Sequence, residues 1–156
     1  MKRIGWIAVL MGLAMGGTLL AQRGEATADI NGKKVTIEYG RPSLQGRDML
    51  ARLPVGSTWR MGKDAATTLK TDGTLHFGAQ VVAPGTYRLT AKRVSEDAWH
   101  LVISSDQNTV EVPLQNNPAG ESVETFTINL ESKGGNQGRF SMAWGMMTVG
   151  TDFTVE

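Results

Sequence analysis

The dipeptide Asn31-Gly32 lies between two stretches of alternating residues, and it narrows the folds open to this chain more than any other feature. Asn and Gly tolerate the positive φ angles of a two-residue primed turn, so the flanking residues are expected to pair as a hairpin. In the second arm Val35, Ile37 and Tyr39 alternate with Lys34, Thr36 and Glu38, which presents one apolar face to a core. The rhythm recurs at 57–61, 66–71, 74–77, 81–83, 86–93, 98–104, 109–114, 123–130, 139–144 and 148–155. Turn chemistry punctuates it at Asp72-Gly73, at Pro84-Gly85 (the central pair expected of a type II turn), and at the glycine run 134–138, expected as a long flexible turn. About ten short strands with no long amphipathic helix predict an all-β fold, an antiparallel β-sandwich of jelly-roll or Ig-like type, with a closed barrel as the alternative. Val35, Ile37, Tyr87, Leu89, Leu101, Ile103, Phe126 and Ile128 are the predicted core. Residues 40–56 interrupt the rhythm with Pro42, Gly46 and Pro54, and the segment 47–53 suits one short helical turn.

The first residues differ in kind. Met1-Lys2-Arg3 is a short positive segment, and residues 4–20 carry no charge, with an apolar centre at 7–15. That is the layout of a secretory signal, expected over 1–21, with a single domain over 22–156. A retained membrane span needs about 20 predominantly apolar residues, and Gly12, Gly16, Gly17 and Thr18 loosen the second half of this run. Small Ala21 suits the last residue of the signal, and cuts after Ala26 or Ala28 also fit. The expected location is periplasmic or secreted, with no stable membrane anchor after cleavage.

Two consequences follow from composition. There is no cysteine, so disulfide staples and a cysteine-linked lipid are excluded, and stability must come from packing. Lys2 and Arg3 leave with the signal, so 16 basic residues become 14 against 15 acidic ones. A slightly negative domain argues against a nucleic-acid partner, which needs concentrated positive charge.

Chemistry-bearing residues are sparse. His76 and His100 are the two histidines, too few for a zinc site that takes three or four protein ligands. A Ser-His-Asp triad lacks its usual strand–turn–helix elbow around any serine. The glycine run 134–138 carries no Lys-Ser or Lys-Thr ending, so it is a hairpin loop and not a phosphate cradle. Trp59, Trp99 and Trp144 sit in strand patterns, where core packing outweighs a carbohydrate platform. No metal, cofactor or catalytic residue is assigned.

Several ordered motifs resemble one family. They are Tyr39-Gly40-Arg41-Pro42-Ser43 with Gly46-Arg47, Thr58-Trp59-Arg60-Met61-Gly62 with Ala66-Thr67-Thr68-Leu69, and Pro84-Gly85-Thr86-Tyr87. Val123-Glu124-Thr125-Phe126-Thr127-Ile128 and Ala143-Trp144-Gly145 complete the set. Together they resemble DUF2911, a family of exported bacterial β domains, over roughly 26–155. The resemblance implies a secreted or periplasmic β domain and carries no activity with it. Two departures stand out. An acidic residue common in the family is replaced by Ala65, and the segment Asp106-Gln107-Asn108 is shorter than an aromatic-containing insertion found in relatives.

The expected function is a non-catalytic exported binding or interaction module. The alternatives are a small hydrolase with a site around 39–62, or an envelope protein assembling through edge strands. The candidate ligand-binding residues are Tyr39, Arg41, Ser43, Arg47, Trp59 and Arg60. Arginines in an irregular loop can grip a small anionic ligand bidentately, or tie the loop to backbone carbonyls. A protein partner is the other expectation. Mass spectrometry of the native protein should find its N-terminus between about Gln22 and Asp29; intact Met1 in a membrane fraction would refute cleavage.

Overall fold

The computed structural model describes residues 23–117 and 120–156; the expected signal segment lies outside the described residues. β1 (Arg23–Ile30) and β2 (Lys33–Gly40) form the hairpin anticipated at Asn31-Gly32, whose φ angles of 54° and 72° fit the primed turn. The Asn31 side chain also donates to the Val155 carbonyl at 3.0 Å, tying the first hairpin to the end of the last strand.

The chain continues through β3 (Thr58–Trp59), β4 (Thr67–Thr71), β5 (Leu75–Phe77), β6 (Gln80–Val82), β7 (Gly85–Arg93), β8 (Trp99–Ser104) and β9 (Thr109–Pro113). It closes with β10 (Gln115–Asn116), β11 (Val123–Gly134), β12 (Gln137–Gly145) and β13 (Met147–Val155). One sheet runs β1-β2-β4-β7-β8-β9, and the other runs β11-β12-β13-β5-β6. β3 pairs with the second half of β7, and β10 with the middle of β13. All ladders are antiparallel, and the two sheets pack as a β-sandwich. No helix occurs among the described residues.

Alternation puts one face of each sheet inside. Val35 and Ile37 of the first sheet and Phe126 and Ile128 of the second are buried, as are Leu89, Leu101 and Ile103; Tyr87 is only half-buried. Tyr87 instead donates its hydroxyl to the Ala83 carbonyl at 2.6 Å, which holds the entry to β7.

Three local expectations change. Across 47–53 the chain makes successive turns and no helix. Asp48 Oδ1 accepts from the Ala51 amide at 3.1 Å, and Leu50 bonds to the Leu53 amide at 3.2 Å. A helix would direct the Leu50 carbonyl to the amide of residue 54, but that residue is Pro54 and has no N–H. The turn expected at Asp72-Gly73 is present, and it forms a corner between the two sheets. Gly73 is buried there, and a Cβ on it would meet Val155 Cγ1 at 2.7 Å and the Glu156 carbonyl at 2.8 Å. Gly85 adopts φ 153°, unlike the value of about 80° that a type II turn needs. The glycine run is tighter than expected: β11 and β12 extend to Gly134 and Gln137, leaving only Gly135-Asn136 between them.

Ile128 is 3 % exposed at the centre of this core. Ile128→Ala should lower the unfolding free energy by about 2–5 kcal/mol; a loss below about 1 kcal/mol in denaturant titration would contradict its place there.

Candidate functional site

The segment leaving β2 does not stay in its own sheet. It crosses to the outer edge of β11, where Phe126 N–H donates to the Pro42 carbonyl at 2.9 Å and Leu44 N–H donates to the Glu124 carbonyl at 3.0 Å. Ser43 and Thr125 form the bridge between these bonds, with their hydroxyls 3.2 Å apart. One residue pair further along, Arg41 donates Nε to the Phe126 carbonyl and Nη2 to Thr127 Oγ1, both at 3.2 Å. The Tyr39 hydroxyl accepts from the Ile128 amide at 2.9 Å. Tyr39, Arg41 and Ser43 are thus brought together, on the backbone of β11.

Glycines make this approach possible. A Cβ on Gly24 would meet Arg41 Cδ and the Tyr39 ring at 2.7 Å, and a Cβ on Gly40 would strike the backbone of Lys63. Gly62 faces Gly40 from the other side, with φ 155°. Between β3 and β4, fully buried Met61 takes a φ of 58°, held by Thr67 Oγ1 donating to its carbonyl at 2.7 Å. That conformation is costly for a residue with a side chain, and it persists where surrounding contacts over-determine it.

The other predicted site residues go elsewhere. Arg60 Nη2 donates to the Asp64 carbonyl within its own loop. Arg47 is exposed, just after the Gln45-Gly46 turn, whose φ angles are 51° and 74° and whose first amide is held by Glu124 Oε1 at 2.9 Å. Trp59 is half-buried at the hub of an aromatic cluster. It stacks on Trp144 (5.5 Å between centroids, 12° between planes) and meets Phe126 and Trp99 edge-on at 4.8 and 6.3 Å. Tyr39 joins through Phe126 at 5.4 Å. Trp99 and Trp144 are 5 % and 4 % exposed, so neither offers an open face to a sugar ring. Trp144 Nε1 donates to the Glu124 carbonyl at 3.1 Å.

Sequence reasoning passed over Arg93, which anchors the long loop. Its Nη1 donates to the Leu53 carbonyl at 2.6 Å and reaches Leu50 at 3.4 Å, while Nε and Nη2 donate to the Glu96 carbonyl at 3.3 and 2.8 Å. The guanidinium lies 6.0 Å from the Trp99 ring. A basic residue at the end of a strand beside a turn is unremarkable in sequence, so no signal marked it.

Between that loop, the β7–β8 turn and the β12–β13 turn lies a groove of about 480 Å³. Leu50, Trp99, Trp144, Met146 and Met147 supply its apolar surface, with Asp48, Glu96, Asp97, Asn116 and Asn117 among its polar groups. Arg41, Ser43, Arg47, Trp59 and Arg60 do not line it. Both histidines lie on other surfaces. His76 Nε2 is 3.2 Å from Glu156, and His100 Nδ1 is 2.8 Å from Glu111. Among the described residues, no group of three or more His, Cys, Asp or Glu is arranged to hold a metal.

The model of the family described as "Protein of unknown function (DUF2911)" matches residues 21–153. The chain belongs to that family. No curated protein and no solved structure matches it.

The family motifs therefore coincide with joints of the fold, and their arginines differ in what they hold. Arg41→Ala should leave the Phe126 carbonyl without its partner and cost about 1–3 kcal/mol of stability. Arg47→Ala should stay within about 0.5 kcal/mol of the parent. Equal losses in thermal denaturation would contradict this division.

Proposed function

We propose that this DUF2911 protein is an exported, non-catalytic binding module of the periplasm or cell exterior, and that it binds at the groove on the loop end of the sandwich. The observation that carries the proposal is the composition of that groove: about 480 Å³ of space with apolar side chains below and polar groups on three separate loops. The groove has the size, about 300–1,000 Å³, at which small ligands and side chains of partners settle, and polar surface exceeds apolar surface in its lining. Loops held by a rigid sheet scaffold are the usual carriers of binding. Here Arg93 fixes one wall through four contacts to carbonyls, and the Trp59 cluster supports the floor.

Histidine-based hydrolysis has no support at the groove, because neither histidine lines it and each faces a glutamate elsewhere. A general base must lie within hydrogen-bonding reach of the proton it removes. Export rests on the N-terminal charge and apolar pattern.

A small-molecule screen by NMR tests the reading. Hits should shift the Trp99 and Trp144 indole N–H signals and the Met146 and Met147 methyl signals, and should be recovered chemically unchanged. Hits that spare these signals and move His76 or His100 would place binding elsewhere, and turnover of a bound hit would refute a non-catalytic role.

A further inference from the structure

We infer that the groove selects a cationic ligand, a protonated amine carried on an aliphatic stem. The inference rests on the groove being the binding site, and it follows from counting which polar groups remain available there. Arg93 is the guanidinium in its wall, yet its donors are directed at the carbonyls of Leu50, Leu53 and Glu96. Four of its five N–H donors are committed in this way, and a single Nη2 N–H is left, too few for a bidentate grip on an anion. Asn116 spends an N–H on the Asp97 carbonyl at 2.8 Å, which leaves its amide oxygen as an acceptor. Asn117 accepts from Arg139 Nη2 at 3.1 Å and retains its N–H donors.

The carboxylates tip the balance. Asp48 commits one oxygen to the Ala51 amide. Glu96 and Asp97 are exposed, and among the described residues neither carboxylate has a hydrogen-bond or ion-pair partner. Acceptors therefore outnumber donors, and three negative groups meet one positive group that is turned into the protein. An anionic ligand would meet unfavourable charge here, whereas an ammonium group brings three donors and the complementary sign.

The apolar half of the groove supplies the remainder of the chemistry. Met146 is 66 % exposed and Met147 half-buried beside it, and thioether side chains adapt to a flexible aliphatic stem. A cation is already accommodated in this wall, since the Arg93 guanidinium lies over Trp99. The preferred ligand thus has the opposite charge to the one expected from Arg41, Arg47 and Arg60, which do not line the groove.

Three probes with the same five-carbon stem separate charge from shape: 1,5-diaminopentane, 1,5-pentanediol and glutarate. Each is titrated into the purified protein by NMR at an ionic strength of about 0.01–0.02 M, where screening is weak. The diamine should shift the Trp99 and Met147 signals at the lowest concentration, and glutarate should leave them unmoved. The double variant Glu96→Gln, Asp97→Asn should weaken the diamine about three- to tenfold with an unchanged thermal midpoint, because both side chains are exposed. Glutarate binding at least as well as the diamine would overturn the inference, as would a double variant of unaltered affinity. If the diol matches the diamine at these signals, the groove stands as a site and its selectivity for cations falls. If none of the probes moves them, the cation inference falls, and the library screen decides the groove itself.

Discussion

The outer edge of β11, part-buried at the Phe126 carbonyl and buried at the Ile128 amide, must find partners for its N–H and C=O groups, and this requirement organises one whole end of the molecule. Pro42 and Leu44 supply two ladder bonds, Arg41 takes the Phe126 carbonyl, and Tyr39 takes the Ile128 amide. These partners come from the strand end of the opposite sheet. The sandwich is therefore joined by polar stitches as well as by the packing of its two apolar faces. An unpaired buried amide costs about 1–3 kcal/mol, so each stitch matters in a domain without disulfides.

The remainder of that end depends on the same crossing. With residues 42–44 drawn onto β11, Phe126 lies under Tyr39, and Trp59 is caught between Phe126, Trp99 and Trp144. The aromatic rings fill the corner that the irregular 41–57 segment passes over. Arg93 then pins the far part of this segment by its carbonyls, and the groove opens between the pinned loop and the turn at Met146. Stitch, cluster and groove form one sequence of dependence from backbone satisfaction to a shaped surface.

Regular alternation made most of the sheets legible. Val35 and Ile37, with Lys34, Thr36 and Glu38 between them, could face only one way once the Asn31-Gly32 turn set the register. The two-residue β10 escaped notice because a strand so short has no period to read. Arg41 and Ser43 were expected to face a ligand, but their type does not tell the groups of β11, the Phe126 carbonyl and the Thr125 hydroxyl, from an external ligand as the partner. That distinction needs the crossing, which is a contact between residues more than eighty positions apart. The groove was illegible for the same reason: Asp48, Asp97, Asn116 and Met146 meet only after three loops converge.

The account stands or falls on whether Tyr39 holds the edge of β11. Native-state hydrogen exchange at the Ile128 amide measures this directly, with the Leu101 amide in the opposite sheet as the internal reference. In the parent protein both should exchange only through global unfolding. In Tyr39→Phe the Ile128 amide should exchange through a local opening, at least about tenfold faster relative to Leu101. Equal protection of the two amides in the variant would show that the Tyr39 hydroxyl does not hold the edge of β11.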